Sequence, residues 1–250
     1  MTQPVLTLKG VCKYFGGVTA AENVNFSVMP GQIRGLIGPN GAGKTTILNL
    51  ISGIYDVDKG DIFFEEKNIT RMPAHLRARG GIGRTFQAPR FLQRSNIEEN
   101  LLIGTDLKDQ MGYFNSFMGK KGSDFEGELT ELLKVADLSF DWEDDLSALA
   151  YGQLKLLEIV RSMLAHPKVM LVDEPAAGLN GTEKNRAMDL LNLAASDGIG
   201  VVLIEHSMDM VMSTCHEITV LNFGRVIAEG GPADISRNEE VIEAYLGRRK

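Results

Sequence analysis

The chain has 250 residues, 44% hydrophobic and 24% charged, which fits one large globular domain or a domain with a subdomain. Its net charge of −7 excludes a general nucleic-acid binder, which carries a basic face, although not a local basic patch. The longest apolar runs, such as "VMLV" and "VVLI", are far too short to cross a bilayer, and the start "MTQPVLTLKG" lacks the basic-then-apolar pattern of a signal peptide.

In chain order, "VLTLKGVCKYF" and "AENVNFSVM" predict strands of an antiparallel sheet, closed by a turn at Pro30-Gly31. "IRGLI" is a short apolar strand running directly into "GPNGAGKTT", after which "ILNLIS" has helical spacing and ends at Gly53. "GDIFFEEKNIT" reads as a strand with a turn, and "IGRTFQ" as a further strand candidate. From Ala88 to His166 the patterns are helical: "NIEENLLIG", "ELTELLKVADL" and "GQLKLLEIVRSMLA". In the last of these, Leu154, Leu156, Leu157 and Ile159 are expected to face a core. "GTDLKDQMGYFNSFMGKKGSD" is predicted to be a mobile surface segment. "KVMLVDEP" is a buried strand after the Pro167 break, followed by a helix over 181–197, the strand "GVVLIEH" and a helix at "SMDMVMS". "EITVLN" and "RVIAEG" form a hairpin around Phe223-Gly224, and "NEEVIEAYLGRRK" reads as one amphipathic helix. Cys12 and Cys215 form no CxxC pair and read as buried thiols, and the adjacent Cys215 and His216 are too few for a metal site.

Strand–helix alternation around a helical insert predicts an α/β core with a helical subdomain. We divide residues 1–250 into an α/β core with an antiparallel part (1–87 and 167–231), a helical part (88–166) and a helical tail (232–250).

Gly38 to Thr45, "GPNGAGKT", matches G-x-x-x-x-G-K-[ST] without a departure. Glycines at 38, 41 and 43 allow backbone angles and approaches that a Cβ would block. The loop N–H groups then form an anion nest, backed by the positive end of the following helix. Lys44 would sit on the β- and γ-phosphates of a nucleotide, and the Thr45 hydroxyl would ligate Mg²⁺. Gly38, Pro39, Asn40, Gly41, Ala42, Gly43, Lys44, Thr45 and Thr46 are therefore nucleotide-binding candidates. Asp173 and Glu174 end an apolar strand whose carboxyl end opens on a ligand crevice in a parallel sheet. Asp173 would hold Mg²⁺ through water, and Glu174 would polarise an attacking water as general base.

These motifs resemble, nearly end to end and in order, the ATP-binding-cassette (ABC) ATPases. The resemblance implies a RecA-like P-loop NTPase core with an N-terminal antiparallel β part and an inserted helical subdomain. It makes "KYFGG" an adenine-stacking loop, with Phe15 as first candidate and Tyr14 as second; the other reading of this position is a core aromatic. Gln87 in "RTFQ" matches the Q-loop glutamine, which reaches the metal and the attacking water. His206 in "EHSMD" matches the γ-phosphate-sensing switch histidine, and "AAGLN" the loop that crosses to a second subunit. "LAYGQ" corresponds to the signature motif, so Ala150, Tyr151, Gly152 and Gln153 are implied to bind ATP held by another subunit.

Three residues depart from the family pattern. Ala150 stands where the family has a serine, Tyr151 where it has a glycine, and Asn180 where it has an aspartate. The first points to slower hydrolysis, while Lys44, Gln87, Asp173, Glu174 and His206 point to an active enzyme. "LAYGQ", "EPAAGLN", "RTFQ", the insert near 104–125 and "VIEAYLG" resemble the ATPase subunits of bacterial importers of branched-chain, hydrophobic amino acids. That implies a second ATPase subunit, identical or different, membrane permease subunits and, indirectly, a periplasmic or surface solute-binding protein. It also implies a peripheral position on the cytoplasmic face of the cell membrane. "APRFLQRSN" would form a groove for a permease helix, the alternative being a solvated loop with two core residues. Other functions carried by the same core are lipid or lipopolysaccharide extraction and, more distantly, a soluble role without transport.

Overall fold

The computed structural model describes residues 3–102, 123–141 and 144–246. Strands β1 (Leu6–Phe15), β2 (Val18–Val28), β4 (Lys59–Phe64) and β5 (Lys67–Asn68) form an antiparallel sheet in the order β2-β1-β4-β5. The first hairpin closes at Gly16-Gly17, where Phe15 pairs with Val18 and Gly16 takes φ 58. The Pro30-Gly31 turn does not close that hairpin. It carries the chain from β2 into β3 (Ile33–Ile37) of the second sheet, with the Gly31 N–H bonded to the Gly198 carbonyl at 3.0 Å.

The second sheet has the order β10-β9-β3-β8-β7-β6, with β6 Ile82–Arg84, β7 Val169–Asp173, β8 Gly200–Ile204, β9 Glu217–Asn222 and β10 Arg225–Gly230. All neighbours are parallel except the β9–β10 hairpin. Every residue of β3, β7 and β8 is buried, as strands covered on both faces must be. One core lies between the two sheets and takes in α1 (Lys44–Ile51); the other packs helices on the opposite face of the second sheet. The result is the mixed α/β architecture that the sequence predicts.

Helix α2 (Ala74–Arg79) escapes the sequence reading because its six residues show no apolar period. Its Arg77 is 3% exposed and donates to the carbonyls of Leu50 and Ile51, acceptors that the end of α1 leaves open, and to those of Thr70 and Met72 in the turn before α2. Strand β6 ends at Arg84, earlier than predicted, so Phe86 and Gln87 leave the sheet. In the helical region lie α3 (Ile97–Leu102), α4 (Ser123–Ala136), which begins before the expected Glu128, and α5 (Tyr151–Leu164). Its described residues hold no strand, only an isolated bridge from Asn96 to Asp145. Most of the expected mobile segment, residues 103–122, lies outside the described residues.

Helices α6 (Gly181–Ser196) and α7 (Met208–Thr214) follow β7 and β8. The tail helix expected in "NEEVIEAYLGRRK" is α9 (Glu239–Leu246), and a short helix that the sequence reading did not single out, α8 (Pro232–Ile235), precedes it. Both cysteines are free and buried, and burial pushes the Cys215 thiol up to about 12. His216 is committed to the fold, its Nδ1 accepting the Ile33 N–H at 2.9 Å.

Candidate functional site

Adjacent parallel strands β3, β8, β7 and β6 bring the Gly38–Thr46 loop, His206, Asp173–Glu174 and Gln87 to one carboxyl edge. The phosphate-loop glycines have separate causes. A Cβ on Gly38, at φ 150, would collide with the Leu221 carbonyl, and one on Gly43, at φ 106, with the Ala20 carbonyl. Gly41, at φ 79, faces open space, so only its backbone angle demands glycine. Lys44 is 7% exposed and donates to the carbonyls of Gly38 at 2.7 Å and Pro39 at 3.1 Å. Burial lowers its pKa, opposed by the carboxylates of Glu174 and Asp173. Thr45 is exposed at the start of α1, Thr46 half-buried, Asn40 exposed and Ala42 buried.

Asp173 is 4% exposed. Burial raises its pKa, and the Arg84 guanidinium, 3.8 Å away, opposes that rise. Glu174 sits beyond it at φ 49, a left-handed conformation uncommon for a residue with a Cβ. Its N–H donates to the Ile204 carbonyl at 2.9 Å, and its carbonyl accepts the Lys155 Nζ at 2.9 Å. Its carboxylate is bracketed: Gln87 Nε2 donates to Oε2 at 2.9 Å, and His206 Nε2 lies 2.9 Å from Oε1. The three residues named as catalytic candidates thus meet at one carboxylate.

Phe15 and Tyr14 separate. Phe15 is 43% exposed and meets Tyr55 edge-on at 5.2 Å between ring centres. Tyr14 turns to its own sheet, its hydroxyl 3.4 Å from Glu22, and its pKa is pushed up to about 12, first by a hydrogen bond to Cys12. Phe15 is the ring left available for stacking.

The signature residues lie apart: among the described residues no hydrogen bond joins Ala150–Gln153 to the phosphate loop. Tyr151 is exposed and packs on Gly178, where a Cβ would stand 3.1 Å from its ring. Gly152 is buried, and a Cβ there would overlap the Glu183 carboxylate. Glu183 accepts the Asn180 N–H at 2.9 Å while Asn180 Oδ1 accepts the Glu183 N–H at 3.0 Å, so Asn180 caps α6. Gln153 accepts the Ala150 N–H at 2.9 Å, half of the same motif; Ala150 has no oxygen to complete it. Ala150→Ser should complete this cap and stabilise the fold by about 0.5–2 kcal/mol. An unchanged thermal midpoint would contradict this.

Sequence reasoning missed three buried groups behind the site. Lys155 is 2% exposed, in a place where periodicity favoured Leu154, which is only half-buried. Glu158, 2% exposed, accepts the Arg90 N–H at 3.3 Å, and burial raises its pKa. Glu205, 5% exposed, accepts the N–H groups of Ala176, His206 and Ser207, tying the loops after β7 and β8. The only signal was charge on an apolar helix face, and a Glu beside the histidine. In "APRFLQRSN", Phe91 is half-buried under Arg161 and Leu92 is 55% exposed, on a turn held by fully buried Asn100.

Among the described residues no group of three His, Cys, Asp or Glu side chains could hold a metal alone. Thr45, Asp173 and Gln87 carry the oxygen donors that hard cations such as Mg²⁺ prefer.

A phosphate loop after β3 and paired carboxylates at the end of β7, with β8 between the two strands, define a P-loop nucleotide hydrolase. The comparisons narrow the class. The ABC transporter family model matches residues 21–177, and that of the branched-chain amino acid ATP-binding cassette transporter matches 225–250. A probable branched-chain amino acid transport ATP-binding protein, LivG of Archaeoglobus fulgidus, is 38% identical over 97% of this chain and 95% of its own. The high-affinity branched-chain amino acid transport ATP-binding protein LivG of Escherichia coli K12 is 37% identical over 99% of both. An ATP-binding cassette of an ABC transporter, crystallised in its ADP conformation, superposes with TM-score 0.83 at 32% identity over 99% of this chain and 100% of that one. The chain belongs to the ABC transporter ATPases, within the branched-chain amino acid transport group, and is an ATP-hydrolysing enzyme.

Proposed function

We propose that this chain powers the import of branched-chain amino acids by hydrolysing ATP between two ATPase subunits placed head to tail. The bracketing of Glu174 by Gln87 and His206 carries the hydrolytic reading. The C-terminal family match and the relatives' names support the solute class over lipid extraction.

In this reading Phe15 stacks on adenine, and the loop N–H groups of Gly38–Gly43 cradle the phosphates. Lys44 moves from its carbonyl partners to the γ-phosphate. Glu174 takes a proton from water as its oxygen bonds to the γ-phosphorus and the bond to the ADP oxygen breaks; His206 orients that carboxylate and contacts the leaving phosphate. Magnesium, held through Thr45, Asp173 and Gln87, would neutralise phosphate charge. Ala150–Gln153 would meet ATP bound to the partner subunit, the N-terminus of α5 supplying its dipole. Gln87 and the segment after it, 88–100, transmit the motion to the permease subunits, with Leu92 and its turn reaching them. Among the described residues no helix is long and apolar enough to cross a membrane, so attachment to the cytoplasmic face would run through those subunits.

The test is uptake of labelled leucine by cells lacking the gene. Uptake should fall and return with the intact gene. Undiminished uptake would remove the transport reading.

A further inference from the structure

Burying a lysine is costly unless its ammonium is paired, so a side chain 2% exposed on the buried face of α5 calls for a specific partner. That partner is a backbone atom, the carbonyl oxygen of Glu174, 2.9 Å from Lys155 Nζ. Glu174 is held at φ 49, where an L-residue is disfavoured unless its surroundings impose the conformation. Its N–H is fixed by the Ile204 carbonyl of β8, and Lys155 fixes the other side of the same residue. This backbone angle aims the carboxylate between Gln87 and His206. One turn further along α5, Glu158 accepts the Arg90 N–H and fastens the helix to the segment that carries Gln87. Both contacts leave from the helix whose first turn is the signature Tyr151–Gln153.

We propose that Lys155 is a positioning residue for hydrolysis: it clamps the Glu174 backbone in its left-handed conformation and ties the base to the signature helix of the same chain. The proposal rests on Glu174 being the general base. Lys155 touches no substrate and acts through Glu174. Contact of the signature turn with the partner's ATP then bears on the helix that holds this chain's own base.

The test uses the purified full chain. Lys155→Met keeps the side chain's length and removes the donor. Its kcat should fall roughly 10- to 100-fold, with ATP affinity within about threefold of the intact chain. A kcat close to that of the intact protein would overturn the proposal. A second measurement decides even if Lys155→Met folds poorly. Glycine adopts the left-handed conformation without penalty, so in a Glu174→Gly background the clamp is dispensable. The drop in thermal midpoint caused by Lys155→Met should be clearly smaller in that background; equal drops overturn the clamp. Undiminished turnover of Glu174→Gln would remove the base assignment itself. An inactive Glu174→Gln beside an unimpaired Lys155→Met would remove only the positioning role.

Discussion

Glu174→Gln should lower ATP turnover by about 10²- to 10⁴-fold, the usual contribution of a positioned general base, while ATP binding persists. The amide keeps the shape of the carboxylate and can still meet Gln87 and His206, both now 2.9 Å from its oxygens. It loses the ability to take a proton from water. The β7 terminus should be little disturbed, because Glu174 is anchored by its backbone, through Ile204 and Lys155. The check is phosphate release at saturating ATP beside a binding titration. Retained turnover would mean that another group receives the proton.

Lys44→Ala has the second-largest expected effect, on affinity. Lys44 now satisfies two carbonyls of its own loop, at 2.7 and 3.1 Å. Burial already weakens its hold on its proton, and the neighbouring Asp173 and Glu174 counter this. A triphosphate offers much stronger acceptors at the same place. Losing a hydrogen bond to a charged group costs about 1.5–3 kcal/mol, so the ATP dissociation constant should rise roughly 10- to 150-fold. An unchanged constant in a titration would contradict the phosphate-loop assignment.

The parts of the site that were legible in the sequence have letters fixed by local chemistry. The glycines of "GPNGAGK" answer to backbone angles and to the carbonyls of Leu221 and Ala20, and the acids of "VMLVDEP" end a strand buried along its whole length. What was not legible depends on partners without letters. Lys155 answers to a carbonyl, Glu158, Glu205 and Asn100 to backbone groups of distant loops. Periodicity assigns apolar letters to a buried face and places a lysine outside it, so Leu154 and Lys155 were exchanged. The Pro30-Gly31 turn is a real turn, but only tertiary pairing shows that it joins two sheets while Gly16-Gly17 closes the hairpin. Ala150 and Tyr151, departures from the family motif, have structural counterparts: a half-completed cap and a ring packed on Gly178.

The most direct test of the whole account is phosphate release by the membrane complex that copurifies with this chain, measured with and without leucine, isoleucine or valine and the solute-binding protein. The account predicts release stimulated by these amino acids and lost in Glu174→Gln. Release indifferent to all three, or undiminished in Glu174→Gln, would contradict it.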